Sequence, residues 1–519
     1  MNPEHKQVEY KKYFENKKIT KQGFGVLGRG IGVVKFLLES GAQVLVTDTK
    51  SESDFLENIK EMNSFMLEKN ISLSKVSYIF GEHRMQDFIN CDYVVQASGV
   101  PKNNIYLARA KQNKIPVYQE SSLFCEIIRE YNKEISQENL NEKEARKEIV
   151  ENNNKISIIG ITGTRGKTTT TFLIKKIIED YINNGNKKVE RKVYFGGNVQ
   201  GVATLENLKY IKSGDIVVME LDSWILQGFR DINYSPDIAV FTTFMADHMN
   251  YYKGDMQDYF IDKANIFLYQ NLNDIFVTTD KIEEYMKKYL EESEYLKFEN
   301  RRKYSQKEVE ENKGISILTD SEIKNYNQKY KSLLIGEHNK INVALAVSTC
   351  RAFGVDDVSI QESLNNFTGV AGRLELVKEL NGVKYYNDTT STTPDSLMVA
   401  LESFKNENII LICGGRDKEL DMTLAAGKIV EFKKQDIIKK LILLSDHTTT
   451  GTKKLIGIFK ENNFEDYTEC ENLEVAVQAA RSAASSGDII LFSPGFASFG
   501  IFQNEYDRGD RFNQVVNKL

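Results

Sequence analysis

The chain has 519 residues, 41% hydrophobic and 10% aromatic, which supports about three globular domains at roughly 150 residues each. A net charge of −6 excludes a large basic surface, and with it nucleic acid as the main partner. Five scattered cysteines (Cys91, Cys125, Cys350, Cys413, Cys470) without CxxC spacing argue for reduced thiols rather than a disulfide framework or zinc site, and no apolar run is long enough to span a membrane.

The first segment, MNPEHKQVEYKKYFENKK, lacks the apolar core of a signal peptide, so a cytoplasmic protein is expected. Residues 19–50 read as strand, glycine turn, helix and strand. Gly23-Phe24-Gly25-Val26-Leu27-Gly28 fits GxGxxG, and Asp48 follows Gly28 by 20 residues, at the end of the strand Val44–Thr47. This pattern suits a nucleotide diphosphate with Asp48 on a ribose hydroxyl, although a plain α/β turn carries the same glycines. Tyr93–Ala97 is a further buried strand ending in Ser98-Gly99. Residues 130–155, rich in Glu, Lys and Asn, read as a solvated helix or linker.

The segment KISIIGITGTRGKTTTT (155–171) follows. Ile156, Ile158 and Ile159 make a buried strand, and Phe172–Ile178 reads as helix. Strand, glycine turn and helix N-terminus together form a phosphate cradle of backbone N–H groups. Lys167 would reach the β/γ-phosphates and Thr168 would ligate Mg²⁺. The spacing is a variant, with Ile161 where the usual pattern has Gly. Asp215–Met219 is a strand covered on both faces, ending at Glu220, where a second metal ligand belongs. Ile238–Thr242 leads to Asp247-His248. Lys263 lies in the helical stretch Tyr259–Phe267, where its spacing alone suits a snorkelling surface lysine. Residues 281–330 are charged and of low regularity, as in a peripheral insertion. Gly336–Asn342 precedes a helix, Val343–Phe353.

From residue 369 a third unit begins. Strands Val383–Tyr386, Ile409–Cys413, Leu441–Leu444 and Ile489–Phe492 alternate with helices in the pattern of a parallel sheet. Asp388–Thr392, Gly414–Lys418 and Ser493–Ser498 each follow a strand and point to one ligand crevice.

The loop TGTRGKTTTT, then GGNVQG (196–201), ELDSW (220–224), DHMNYY (247–252), GEHNKIN (336–342), GRLE (372–375), NDTTSTT (387–393), GGRDK (414–418) and SPGFASF (493–499) stand in the order found in Mur ligases. The chain resembles that family over nearly its whole length, and most resembles its D-glutamate-adding members. The resemblance implies an α/β fold of three domains. A Rossmann-like UDP-sugar domain would span 1–118 and a central P-loop ATPase domain 119–368, with the insertion at 281–330. A Rossmann-like amino-acid domain would span 369–519.

The resemblance also implies roles. Gly163, Thr164, Arg165, Gly166, Lys167, Thr168, Thr169, Asn339, Asn342, Arg373 and Asp388 would contact ATP. Thr168, Glu220, His248 and a carbamylated Lys263 would hold two Mg²⁺ ions, with Lys167, Glu220, His248 and Lys263 as the catalytic set. Val26, Leu27, Asp48, Thr49, Ser98 and Asn198 would face the UDP-sugar, and Thr392, Lys418 and Ser498 the incoming amino acid. The implied substrates are ATP, UDP-N-acetylmuramoyl-L-alanine and D-glutamate, acted on by a monomer with no membrane or nucleic-acid partner. Three positions depart from the family pattern: Thr390 stands for a lysine, Asp222 for a serine and Glu505 for an apolar aromatic. A sister Mur or folylpolyglutamate-type ligase using another amino acid, L-glutamate included, is the nearest alternative. An NAD-dependent oxidoreductase would rest on GxGxxG and Asp48 alone. A P-loop GTPase would want NKxD, which the chain lacks.

Overall fold

The computed structural model describes residues 6–25, 29–101, 103–141, 154–184, 191–308 and 314–519. It divides into two compact units, Met1–Gln328 with Asn342–Ser363, and Lys329–Ile341 with Leu364–Leu519.

The first unit holds two parallel sheets. One has the order Val76–Phe80, Gln43–Asp48, Lys18–Gln22, Tyr93–Gln96, Val117–Gln119. Its strand order reverses between Lys18–Gln22 and Tyr93–Gln96, which puts the ligand crevice of such a sheet beside the glycine turn at Gly23. The other has the order Ile315–Leu318, Ile275–Thr279, Ile238–Phe241, Ser157–Thr162, Ile216–Glu220, Val193–Gly197. All five residues of Ile216–Glu220 are buried, as expected for a strand covered on both faces.

One helix serves both sheets. Glu120–Asn141 carries Leu123, Phe124, Ile127, Ile128 and Tyr131 at helical spacing. These side chains share one core with Ile19 and Val46 of the first sheet and Ile158, Val217 and Met219 of the second. The stretch from 130, expected as a solvated helix or linker, is helix as far as Asn141, with Tyr131 and Ile135 buried, and 142–153 lie outside the described residues.

The stretch 281–330 also differs from expectation. It contains helices Asp280–Tyr289, Glu292–Glu308 and Asp320–Lys329, and the strand Ile315–Leu318 at the sheet edge. Its buried apolar positions among the described residues include Ile282, Met286, Phe298, Leu318, Ile323 and Tyr330, and the highly charged run Glu292–Glu308 shows no clear hydrophobic period in the sequence.

The second unit holds one sheet in the order Glu375–Leu380, Val383–Asn387, Ile489–Phe492, Ile409–Cys413, Ile438–Leu444, Thr468–Cys470. The expected parallel strands are present. The edge strand Glu375–Leu380 is antiparallel, because the two-residue turn Asn381-Gly382, with both φ positive, makes it a hairpin with Val383–Asn387. The cysteines are free, and no helix among the described residues is long and apolar enough to cross a membrane.

Trp224, the one tryptophan of the chain, lies in the first unit and reports its unfolding. Phe124→Ala, at a fully buried site, is expected to lower the stability read from Trp224 fluorescence in a urea titration by about 3–5 kcal/mol.

Candidate active site

The strand Ser157–Thr162 delivers the chain to Gly163, and the helix Lys167–Asn184 starts four residues later. The intervening turn is backbone-tight. Gly163 has φ 144°, and a Cβ there would lie 2.0 Å from Thr242 Oγ1; Gly166 has φ 87°, and its Cβ would lie 2.3 Å from Asn342 Oδ1. Neither position admits a side chain. The exit of the neighbouring strand holds the turn: Thr164 N donates to Thr243 O at 2.7 Å, Arg165 N to Thr243 Oγ1 at 2.9 Å, and Thr243 Oγ1 to Arg165 O at 3.0 Å. The turn thus opens on a helix N-terminus, a ready anion site.

Two lysines meet on one oxygen. Lys167 Nζ donates to Gly163 O at 3.0 Å and Thr164 O at 3.2 Å. Lys263 Nζ donates to the same Gly163 O at 2.9 Å and lies 4.9 Å from the Tyr259 ring centroid. Lys263 is only 2% exposed, not the snorkelling residue its spacing alone suggests. Burial, and next the charge of Lys167, hold its amine well below the ordinary lysine value, against Asp222, Asp247 and Asp262. The helix carrying it, Met256–Ala264, is capped by Asp255, whose side chain accepts from Asp258 N. It is anchored by buried Asp262, which accepts from Gln227 Nε2 at 2.8 Å and Tyr252 OH at 3.1 Å.

His248 sits in left-handed backbone, φ 57°, with its ring 4.5 Å from that of Trp224. Burial lowers its pKa, opposed by Asp247, so the imidazole is neutral at pH 7. Asp247 itself pairs with Arg165 at 3.2 Å. Glu220, 4% exposed, ends its strand in register with Ile161 on one side and Gly197 on the other. Its carbonyl accepts from Asn198 N at 2.7 Å, so the expected metal and sugar residues Glu220 and Asn198 share the strand edge beside the loop. Asp222 caps the helix Ser223–Asp231 through Ile225 N at 2.8 Å, a role serine fills equally well, which explains that departure. Among the described residues no three His, Cys, Asp or Glu side chains form a metal cluster. The oxygen donors Thr168 and Glu220, with the imidazole of His248, are side chains here that could serve a hard cation.

On the first sheet, Asp48 Oδ2 accepts from Phe24 N at 2.8 Å and Oδ1 from Lys50 N at 3.1 Å, so its carboxylate shapes the glycine turn itself. Thr49 and Ser98 are exposed at the same sheet edge. Val26 and Leu27 lie outside the described residues. Unforeseen from the sequence, Lys21 is buried within its strand and donates to Gln22 O at 2.9 Å and Gly23 O at 2.8 Å beneath the turn. Burial lowers its pKa to about 8.

In the second unit the three strand-end clusters converge. Gly495 N donates to Ser391 O at 2.9 Å, Gly414 N to Pro494 O at 2.9 Å and Arg416 N to Ala497 O at 2.9 Å. Lys418 Nζ donates to Thr392 Oγ1 at 3.0 Å, and Ser498 is buried beside them. Asp388 accepts from Ser493 Oγ at 2.8 Å and Leu374 N at 3.2 Å, and burial raises its carboxyl to about 7. Arg373 is exposed next to Leu374, and Asn339 donates to Ile335 O at 2.7 Å. Asn339, and Asn342 of the first unit, lie on the helix Glu337–Phe353, which starts six residues earlier than its apolar run suggests. Sequence reasoning missed Arg508, a buried guanidinium beneath these loops; the charged run NEYDRGDR gives it the look of a surface residue.

Comparisons with known proteins agree along the chain. Residues 17–119 match the Mur ligase MurD-like N-terminal domain, 161–350 the Mur ligase middle domain and 372–496 the Mur ligase glutamate ligase domain. The UDP-N-acetylmuramoylalanine–D-glutamate ligase of Borreliella burgdorferi is 31% identical over 501 residues, covering 96% of this chain and 97% of that protein. The ligase of the same name from Clostridium botulinum is 32% identical over 526 residues, covering 98% and 99%. Among solved structures, the UDP-N-acetylmuramate-alanine ligase MurC of Thermotoga maritima shares the fold at 16% identity and a TM-score of 0.50, covering 97% of this chain and all of that one.

Asp388 near 7 and Asp237, raised to about 6 by burial, both hold protons more tightly when folded than the ordinary carboxylate value. Their stabilising protonation is complete below about pH 4 and is lost as pH rises through 6 and 7. The melting temperature is therefore expected to fall by a few degrees between pH 5 and 8, and Asp388→Asn to flatten that slope. Scanning calorimetry across this range checks it.

Proposed function

Because this chain belongs to the Mur ligase family, we propose that it joins the amine of D-glutamate to the carboxylate of UDP-N-acetylmuramoyl-L-alanine. It is an ATP-dependent ligase of peptidoglycan precursor synthesis; the particular amino acid and the steps below are the proposal. The observation that carries it is the pair of lysines on the Gly163 carbonyl, at the mouth of a strand–turn–helix anion site.

ATP lies on the loop Gly163–Thr169 of the first unit, with Asn342; the family resemblance assigns Asn339, Arg373 and Asp388 to ATP as well. The substrate carboxylate attacks the γ-phosphate to give an acyl phosphate and ADP. The amine then attacks the acyl carbon, and the tetrahedral intermediate releases phosphate. Lys167 and the loop amides offset the repulsion between carboxylate and triphosphate. Thr168, Glu220, neutral His248 and carbamylated Lys263 would hold two Mg²⁺ ions, whose chemistry is charge neutralisation on the phosphates. A depressed amine pKa supports that modification, because only a neutral lysine reacts with CO₂. The UDP-sugar lies against Asp48, Thr49, Ser98 and Asn198, with Val26 and Leu27, and the amino acid against Thr392, Lys418 and Ser498. The functional domains run 1–118, 119–368 and 369–519. The enzyme acts as a monomer in the cytoplasm, where free thiols persist.

A second reading keeps the chemistry and changes the amino acid, L-glutamate included. It is favoured by Thr390, whose hydroxyl is turned onto Gly372 O at 3.0 Å, and by Glu505, both standing where the family pattern has other residues.

Phosphate release from ATP in the presence of UDP-N-acetylmuramoyl-L-alanine is expected to require D-glutamate; release with another amino acid alone selects the second reading. Lys167→Ala is expected to lower kcat by at least about 100-fold, and retained normal turnover would overturn the assignment. Incubation with ¹³C-bicarbonate is expected to give a carbamate carbonyl resonance that is missing from Lys263→Ala.

A further inference from the structure

Arg508 is among the largest fully buried side chains of the described residues, 1% exposed. It sits in the first turn of the helix Glu505–Asn517, whose N-cap Asn504 accepts from Tyr506 N and Asp507 N. Its guanidinium is held by neutral oxygens from two loops. Nε donates to Thr389 Oγ1 at 3.1 Å, Nη2 to Thr389 O at 2.7 Å and Nη1 to Phe496 O at 3.0 Å. Thr389 Oγ1 passes the chain on to Glu505 O at 2.7 Å, and Asn387 Nδ2 donates to Gly509 O at 3.1 Å. The helix is thereby fastened to the end of the strand Val383–Asn387.

A buried charge held this way is a poor source of stability, because an apolar side chain of similar volume often serves as well. Its geometry is what an apolar group cannot copy. Thr389 lies beside Asp388 and three residues before Thr392, and Phe496 lies two residues before Ser498. One rigid planar fork spans both loops, and the third loop rides on the second through Arg416 and Ala497.

We infer that Arg508 is a positioning residue for ligation: it sets the spacing between the Asp388–Thr392 and Ser493–Ser498 loops, and so the placement of Thr392 and Ser498 against the incoming amino acid. This rests on the assignment of those loops to the amino acid made above.

Arg508→Met and Arg508→Lys test it, with circular dichroism confirming folding. The expected result is a rise of about tenfold or more in KM for the amino acid, in line with the cost of a misplacement near 1 Å. KM for the UDP-sugar should stay within about twofold, since the contacts assigned to it, Asn198 included, lie in the first unit. The methionine variant should melt at or near the wild-type temperature. An amino-acid KM within about twofold of wild type, or an equal rise in both KM values, would overturn the inference. If the wild type uses a different amino acid, the same comparison is made with that one. If it ligates none, amide exchange decides: faster exchange at Gly495 and Ala497 in Arg508→Met supports the role, and unchanged exchange refutes it.

Discussion

Two lysines of the first unit converge on the carbonyl oxygen of Gly163. It accepts from Lys167 at 3.0 Å and from Lys263 at 2.9 Å. Two ammonium groups on one oxygen repel, so the more buried amine yields its proton first. That amine is Lys263. The surroundings follow from holding this arrangement: a glycine at 163 that lets Thr242 close in, a capped helix that brings Lys263 inward, and Asp262 fixed behind it by Gln227 and Tyr252. An anion brought to this site meets the Lys167 ammonium, a helix N-terminus and a buried amine held well below the ordinary lysine value.

The second unit solves a related problem with opposite signs. Its strand-end loops bury a carboxyl, Asp388, that burial pushes up to about 7, and a guanidinium, Arg508, that burial pushes down to about 10. Neither contacts the other as an ion pair among the described residues; each is held by hydroxyls and backbone. Within each unit these groups gather near the carboxyl ends of that unit's own parallel strands.

The parts legible in the sequence were those encoded locally. The phosphate turn is a continuous string of strand, Gly, Lys and Thr, and the burial of Ile216–Glu220 shows in an unbroken apolar run. Order of motifs along the chain gave the family. Properties that depend on packing were not legible. Lys263 has the helical spacing of a surface lysine, and its burial against Tyr259 and the Gly163 carbonyl comes from tertiary packing. Arg508 sits in a charged run, and Lys21 in a strand that gives no hint of a cation below the glycine turn. Asp48 was expected on a ribose; in the fold its carboxylate is engaged by the turn's own N–H at Phe24. Within 281–330 it is the charged run Glu292–Glu308 that lacks a readable hydrophobic period.

The pKa of Lys263 tests the account most directly. Titration of the lysine side chains by ¹⁵Nζ NMR, with Lys263→Ala to assign the signal, should show Lys263 deprotonating well below the usual lysine value near 10.4. In Lys167→Met the same signal should move back upward, because the neighbouring charge is gone. A Lys263 amine that titrates as an ordinary lysine, unmoved by the loss of Lys167, would contradict the account.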